Sequence, residues 1–215
     1  CGLFLWGLQE HPDVVKMGTM SKVTVFIGDS VTDCDRLTQP PYGDGYVSNI
    51  VASGRLTGEI INVGISGHRL IDLENRWNKD VLAYKPTLVS VAIGINDTWR
   101  RYDDNDPTTV EDFEERYRRV LTATKAQGNP QLVLCEPFLL EVRDEMNTWR
   151  EDLNPKIAVV HKMAAEFGAK LVPFDQNFKA ISSEMAMVEL ADDGIHPSKL
   201  GHQIMADLWL RTVGL

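Results

Sequence analysis

The chain has 215 residues, of which 43% are hydrophobic and 25% are charged, as expected for a soluble globular domain with a sizeable core. Its 31 acidic and 22 basic residues give a formal net charge of -9, which disfavours nucleic acid and anionic membrane surfaces as partners. Small, neutral substrates suit this charge better.

The predicted elements begin after an N-terminal extension. Residues 1–19 precede the first strand-like run and are expected to form either an arm against a neighbouring subunit or a remnant outside the fold. Residues 20–215 contain no linker, repeat or low-complexity tract, so we predict one domain.

Five short apolar runs rich in β-branched residues predict strands. They cover residues 22–27, 59–63, 87–93, 131–136 and 170–174. Their nearly continuous apolar character is typical of strands that are covered on both faces. Helical periodicity between them predicts amphipathic helices, which cover residues 110–128, 155–167 and 200–210. Alternating strands and helices favour parallel pairing, so the predicted fold is a three-layer α/β/α sandwich with a five-stranded parallel sheet.

The cysteines and the apolar segments bear on cofactors and location. Cys1, Cys34 and Cys135 have neither metal-ligand nor redox spacing, so the sequence predicts no metal and no other cofactor. Cys135 lies in an apolar run and is expected to be buried. The apolar cluster at residues 3–8 is far shorter than the roughly 20 residues of a membrane span. We therefore expect a cytoplasmic protein with no membrane partner.

Four short patches occur in a fixed order along the chain. They are Gly28-Asp29-Ser30, Asn62-Val63-Gly64, Gly94-Ile95-Asn96-Asp97 and Asp193-Gly194-Ile195-His196. Three of them follow the first three predicted strands, and open parallel sheets bind ligands beyond the carboxyl ends of their strands. Each patch alone could be a helix cap, a turn or a surface pair. Their coincidence in this order predicts one site.

Together the patches supply the groups of an acyl-transfer site. Ser30 is the predicted nucleophile, and His196 is the predicted base because its ordinary pKa is about 6.5. Asp193 lies three positions before His196 and is predicted to orient the imidazole. The backbone N–H groups of Ser30 and Gly64 and the side-chain amide of Asn96 are the predicted oxyanion hole.

Five further residues are candidate substrate contacts: Asp29, Tyr46, His68, Trp99 and Arg100. For Trp99, Arg100 and the nearby Tyr102, packing at the start of a helix is an equally favoured alternative.

Other polar residues are expected to be structural. Asp97 is predicted to be a structural hydrogen-bonding or capping residue, and His161 and His202 are expected to cap, pack or lie at the surface. The acidic segment 103–107 lacks a calcium-loop pattern and is expected to be a solvated loop that caps the next helix.

The patches resemble the conserved blocks of the SGNH hydrolases, also called the GDSL esterases and lipases. The resemblance covers residues 26–205, with Ser30, Gly64, Asn96 and His196 at the name-giving positions. Longer strings are similar to the small bacterial acetyl xylan esterases of this superfamily; they are residues 26–34, 45–47, 64–67, 76–77 and 93–100.

This resemblance implies a flavodoxin-like sheet and metal-free removal of acetyl groups from xylo-oligosaccharides, often by an oligomeric enzyme inside the cell. Two positions depart from the pattern of that branch. Asp35 occupies a place where glycine is expected, and Asp192 stands where an aromatic residue is expected. The sugar preference is therefore expected to differ, while the chemistry is expected to be the same.

The leading hypothesis is a serine esterase that removes short acyl groups, acetyl above all, from carbohydrates. The mean hydropathy of -0.19 and the lack of a long apolar insertion favour a short acyl chain over a fatty one. The alternatives are an arylesterase, thioesterase or lysophospholipase of the same superfamily, or an acyltransferase. A non-catalytic sugar-binding protein is disfavoured because it would need no nucleophile, base and orienting carboxylate. The expected partners are a small acylated substrate and further copies of the chain.

Overall fold

The computed structural model describes residues 22–215, and its centre is one parallel sheet. The strands are β1 (Val23–Gly28), β2 (Glu59–Asn62), β3 (Leu88–Ala92), β4 (Gln131–Cys135) and β5 (Lys170–Val172), and they lie side by side in the order β2-β1-β3-β4-β5. Each neighbouring pair is parallel. The predicted five-stranded parallel sheet is confirmed. The expected extension at residues 1–19 lies outside the described residues, and the single domain over 20–215 stays a prediction.

Nine helices lie within the described residues. They are α1 (Ser30–Asp33), α2 (Tyr46–Ala52), α3 (Leu70–Asp80), α4 (Ile95–Asp103), α5 (Val110–Gly128), α6 (Arg150–Phe167), α7 (Phe174–Ile181), α8 (Met187–Leu190) and α9 (Lys199–Val213). The predicted helix over 110–128 matches α5. The predicted start of α6 at Pro155 is wrong, because the chain enters this helix from a 3-10 turn at Asp144–Trp149 and Pro155 lies inside it.

The core has one apolar layer on each face of the sheet. Alternation along β1 directs Val25 and Ile27 to one side, where α3, α5 and α6 pack, and Phe26 to the other. The second layer holds α2, α7 and α9, and the ring of Trp209 lies 5.1 Å from that of Phe26. Every residue of the central strands β1 and β3 is buried, which explains their nearly continuous apolar character.

The strand order fixes where a site can form. The chain passes from β1 outward to β2 and then returns to form β3 on the other side of β1. Connections therefore diverge at the carboxyl end of β1, which is the switch point where open α/β sheets bind ligands. No helix in residues 22–215 has the length and apolar composition to cross a membrane.

Candidate active site

The nucleophile lies on a tight turn between β1 and α1. Gly28 ends the strand, and a Cβ there would lie 2.3 Å from the carbonyl oxygen of Ala92, so only glycine fits. Asp29 then caps α1, because its Oδ1 accepts the N–H of Val31 at 3.0 Å. Ser30 is the first residue of α1, and its N–H has no hydrogen-bond partner among residues 22–215.

The structure brings the three predicted catalytic side chains together. The hydroxyl of Ser30 donates to Nε2 of His196 at 2.9 Å, and Nδ1–H of His196 donates to Oδ2 of Asp193 at 2.6 Å. The other carboxylate oxygen of Asp193 accepts the backbone N–H groups of Ile195 at 2.9 Å and His196 at 2.8 Å. Because both carboxylate oxygens are held, the imidazole is fixed with its Nε2 lone pair toward the serine.

The charges of the pair suit general-base catalysis. The hydrogen bond to Asp193 raises the pKa of His196 above its ordinary 6.5, against the opposing effect of burial. Burial alone would raise the pKa of Asp193, but hydrogen bonds from the His196 ring and from two backbone N–H groups outweigh it and hold that pKa well below its usual range. Asp193 is therefore ionised at neutral pH and stabilises the imidazolium that forms when His196 takes a proton.

The predicted role of Gly64 in the oxyanion hole is wrong for this structure. Gly64 is buried, and its N–H donates to Oδ1 of Asn62 at 2.9 Å. A Cβ on Gly64 would lie 2.3 Å from the backbone nitrogen of Asp33, so this glycine allows its loop to pack closely on α1. Since the N–H is already engaged, it cannot meet a developing negative oxygen.

A different glycine of the same loop offers a free donor. Gly67 is exposed, has φ of +80°, and its N–H has no hydrogen-bond partner within the described part of the chain. Asn96 is buried at the start of α4, and one N–H of its side-chain amide donates to the carbonyl of His68 at 3.0 Å. That bond holds the Asn96 amide beside the His68–Arg69 peptide, at the end of the loop that contains Gly67, and it leaves the second amide N–H available.

Two of the predicted substrate contacts are wrong because their side chains are buried. Tyr46 has 0% of its surface exposed, and its hydroxyl lies 3.2 Å from Oγ1 of Thr32. Asp29 is 3% exposed, and its carboxylate is engaged as the cap of α1. Burial raises the pKa of Asp29 to about 7. Both residues support the nucleophile turn from inside the fold.

The three other candidate contacts are partly exposed. The ring of Trp99 lies 6.2 Å from the His196 ring, centroid to centroid. The guanidinium of Arg100 lies over the indole of Trp99 at 5.8 Å and pairs with Asp103 at the end of the same helix. Nδ1 of His68 accepts Nε–H of Arg76 at 3.2 Å. Trp99 therefore borders the catalytic base. Substrate contact by Trp99, Arg100 and His68 remains a proposal.

Sequence reasoning missed Trp149, which supports Trp99 from behind. The two indoles lie 5.9 Å apart, and Tyr102 stacks on Trp149 at 5.2 Å with an interplanar angle of 7°. Trp149 ends a 3-10 turn, where no helical or strand period marks a side chain as part of a site. Trp99 and Tyr102 do pack on a neighbouring segment, but they lie in the middle and the last turn of α4, so the expected position at a helix start is wrong.

Residues expected to be structural have such roles. Asp97 is buried, and its carboxylate accepts the N–H of Leu70 at the start of α3, at 3.1 Å. His202 is buried, and its Nδ1 accepts the N–H of Tyr46 at 3.1 Å. His161 pairs with Glu136, and its side chain has no contact with a triad residue. Asp103 ends α4, and residues 104–107 form an exposed loop. The helix after that loop is capped by Thr109, not by an acidic residue of the loop.

Cys135 is buried at the end of β4, as predicted. In residues 22–215, no group of three or more histidine, cysteine, aspartate or glutamate side chains could hold a metal ion.

The fold and the serine–histidine–aspartate site define a class of protein, the carboxylic ester hydrolases. A profile described as "GDSL-like Lipase/Acylhydrolase family" matches residues 26–204, and the chain belongs to this family. The acetylxylan esterase of Geobacillus stearothermophilus is 34% identical over 215 residues, which cover 93% of this chain and 97% of that protein. The thioesterase 1/protease 1/lysophospholipase L1 of Escherichia coli K12 is 26% identical over 151 residues, which cover 70% of this chain and 64% of that protein.

Solved structures agree with this assignment. A protein described as a GDSL-like lipase from Parabacteroides merdae superimposes with a TM-score of 0.84 at 34% identity, covering 90% of this chain and 96% of that one. Axe2, the acetylxylan esterase from Geobacillus stearothermophilus, superimposes with a TM-score of 0.82 at 33% identity, covering 90% and 94%. Three of its matched structures are described as catalytic mutants, in which alanine replaces a serine, a histidine and an aspartate three positions before that histidine. The same residue types at the same spacing form the Ser30–His196–Asp193 triad.

Proposed function

We propose that this enzyme removes short acyl groups, acetyl above all, from xylo-oligosaccharides or related carbohydrates. The observation that carries the proposal is the chain of hydrogen bonds from Ser30 through His196 to Asp193, at 2.9 and 2.6 Å. The imidazole at its centre is exposed to solvent. An ester can reach this serine from solvent without a buried channel. That access suits a bulky, hydrophilic alcohol such as a sugar.

The proposed reaction has two acyl-transfer steps. Oγ of Ser30 attacks the ester carbonyl while Nε2 of His196 takes the hydroxyl proton, and the imidazolium then gives that proton to the departing sugar oxygen. The acyl group is now bound to Oγ. In the second step His196 takes a proton from water, whose oxygen attacks the acyl carbon, and returns it to Oγ as the carboxylic acid leaves. Asp193 stabilises the imidazolium in both steps.

The proposed oxyanion hole consists of the backbone N–H groups of Ser30 and Gly67 and the side-chain amide of Asn96. Support comes from the unengaged N–H groups of both backbone donors among the described residues, and from the bond of Asn96 to His68 at 3.0 Å. Each such donor is worth roughly 3 kcal/mol of transition-state stabilisation. All three are neutral, so they polarise the carbonyl without giving up a proton.

Support for a short acyl group comes from the composition of the chain. Its mean hydropathy is -0.19, and its sequence has no long apolar insertion that could cover a fatty acyl chain. Asp29 and Val31, which flank Ser30, line a cavity of about 20 Å³ together with apolar residues such as Phe138, but neither Ser30 nor His196 lines it.

The sugar side of the site is proposed to include Trp99. Its indole borders His196, and aromatic rings bind the apolar faces of sugars well. His68 and Arg100 lie nearby as polar candidates. The 34% identity to the acetylxylan esterase of Geobacillus stearothermophilus supports xylan-derived substrates. Asp35 and Asp192 depart from the pattern of such esterases, so a different sugar preference is expected at these positions.

The deciding experiment compares acetylated xylo-oligosaccharides with aryl esters of increasing acyl length, using wild type and Ser30→Ala. We expect turnover to be greatest with acetyl esters and to fall by several orders of magnitude in the Ser30→Ala variant, which should still fold. A maximum at about eight carbons or more would contradict the short-acyl argument and favour the thioesterase or lysophospholipase alternative. Acyl transfer to added sugar alcohol, in preference to water, would favour the acyltransferase alternative.

We further propose that the enzyme works in the cytoplasm as a homo-oligomer. The free thiols of Cys34 and Cys135 and the resemblance to acetyl xylan esterases support this setting. Light scattering coupled to size-exclusion chromatography tests the subunit count, and a monomeric mass would contradict the oligomer.

A further inference from the structure

The guanidinium of Arg76, on α3, connects the ends of two strands beneath the active site. Only 11% of this side chain is exposed. Its donors reach the carbonyl of Gly28 at 3.2 Å, the carbonyl of Val63 at 2.6 Å, Nδ1 of His68 at 3.2 Å and Oδ2 of Asp80 at 3.0 Å. One rigid, planar group therefore holds acceptors from both segments that lead into the site.

These acceptors flank the proposed oxyanion donors. Gly28 lies two residues before Ser30, while Val63 and His68 lie on either side of the loop that contains Gly67. The N–H groups of Ser30 and Gly67 must both point at one substrate oxygen. Whether they do so depends on the distance between the segment after β1, which contains Ser30, and the segment after β2, which contains Gly67. Arg76 fixes that distance because its donors are fixed relative to one another.

Arg76 also acts on the third donor through His68. Since Nε of arginine always carries a proton, Nδ1 of His68 must be the acceptor, which leaves the imidazole neutral with its proton on Nε2. Burial and the charge of Arg76 lower the pKa of His68 in agreement with this state. The carbonyl of His68 accepts the Asn96 amide at 3.0 Å, so a fixed His68 fixes that amide as well.

We propose that Arg76 is a positioning residue of the oxyanion hole. It holds the donors of Ser30, Gly67 and Asn96 in register through Gly28, Val63 and His68, and it does not touch the substrate. This inference rests on the proposed function, because that proposal assigns the three donors.

The test is the Arg76→Lys variant, which keeps the positive charge and can keep the ion pair with Asp80. Lysine has one nitrogen, so it cannot reach all the acceptors of the planar guanidinium. We expect kcat for an aryl acetate to fall about 10- to 100-fold, with KM within about twofold of wild type. The affinity for an aryl trifluoromethyl ketone, which forms an oxyanion when Ser30 adds to it, should fall by the same factor as kcat/KM.

The matched control is Arg116→Lys on α5. The guanidinium of Arg116 also contacts α3, through Glu74 at 2.5 Å, but none of its contacts belongs to the active site. We expect kcat and ketone affinity unchanged in this variant. Thermal unfolding followed by circular dichroism gives the folded fraction of each variant at the assay temperature, and kcat is expressed per folded molecule.

An unchanged kcat in folded Arg76→Lys would overturn the inference. So would a loss of kcat without a matching loss of ketone affinity, since the defect would then lie outside the oxyanion hole. If Arg76→Lys does not fold, His68→Ala decides, because it removes one acceptor of Arg76. We expect a loss of about 3- to 10-fold in kcat for the aryl acetate with a matching loss of ketone affinity and an unchanged KM, whereas no loss of kcat, or a change in KM alone, would overturn the inference. Failure of the proposed function would be seen in the wild-type enzyme, which would then prefer long acyl chains or turn over no acyl ester. Failure of the present inference would be seen only in the variants.

Discussion

Replacing Asp193 by asparagine tests the triad while it leaves the shape of the side chain intact. One oxygen of Asp193 accepts two backbone N–H groups, at 2.9 and 2.8 Å, and the other accepts Nδ1–H of His196 at 2.6 Å. The amide oxygen of Asp193→Asn can keep the two backbone bonds, but its NH2 group then faces Nδ1. Because two donors cannot bond, the imidazole takes the tautomer with its proton on Nε2, which cannot accept the proton of Ser30.

The expected loss is large. The wrong tautomer should lower kcat by about 10⁴-fold, as the same replacement does in serine proteases, and this equals about 5 kcal/mol of transition-state stabilisation. The assay is the initial rate of aryl acetate hydrolysis from about pH 5 to about pH 10, with unfolding curves to confirm that the variant folds.

The adjacent Asp192 provides a matched control for this variant. Asp192→Asn removes the same charge one position away, at an exposed site, so kcat should stay within about twofold of wild type. Retention of kcat within about tenfold in Asp193→Asn would refute the reasoning. Equal losses in the two variants would also refute it, because they would indicate a general effect of charge.

Three further predictions concern pH and stability. Since Asp193 raises the pKa of His196 and only the neutral imidazole accepts the serine proton, wild-type kcat/KM should fall on the acid side with a midpoint above pH 6.5; a lower midpoint in the pH–rate profile contradicts this. Burial lowers the pKa of His202 to about 4, so its stabilising contribution is complete above its unfolded pKa of about 6.5 and is lost as the pH falls toward 4. Urea unfolding should therefore show wild type losing about 2–3 kcal/mol relative to His202→Gln between about pH 7 and about pH 4.5, whereas a constant difference would exclude the linkage. Asp35 has φ of +61°, a backbone conformation that favours glycine, so Asp35→Gly should raise the free energy of unfolding by about 0.5–1 kcal/mol. If the variant unfolds with a lower free energy than wild type in urea, Asp35 is not strained.

The sequence was enough to predict the sheet, because strands buried on both faces must be apolar along their length. All five predicted strands exist, but four of them end earlier than predicted. Val63 and Ile93 are as apolar as the strands before them, yet each lies just beyond the end of its strand and begins a loop of the site, although the N–H of Val63 still donates to the carbonyl of Phe26 at 2.9 Å. The end of a strand depends on where its hydrogen bonds to the neighbouring strand stop, and the composition of the strand does not indicate that position.

The triad was predictable because its chemistry demands particular side chains, whereas the oxyanion loop was not. Gly64 and Gly67 are only three positions apart, so either could supply the backbone donor. The side chain of Asn62 accepts the N–H of Gly64 at 2.9 Å, which leaves the N–H of Gly67 as the available donor. Tyr46 was equally ambiguous, since an aromatic ring suits a rim or a core. It is buried because α9, far away in sequence, packs on α2, and no local pattern reports such a contact.

The nucleophile and its base are 166 positions apart in the chain. During synthesis the serine therefore leaves the ribosome long before its histidine, and a nascent chain carries an ordinary, unreactive alcohol. Ester cleavage can begin only after the final loop and helix have docked, so enzymatic activity reports the completed assembly of the chain and not the folding of an early fragment.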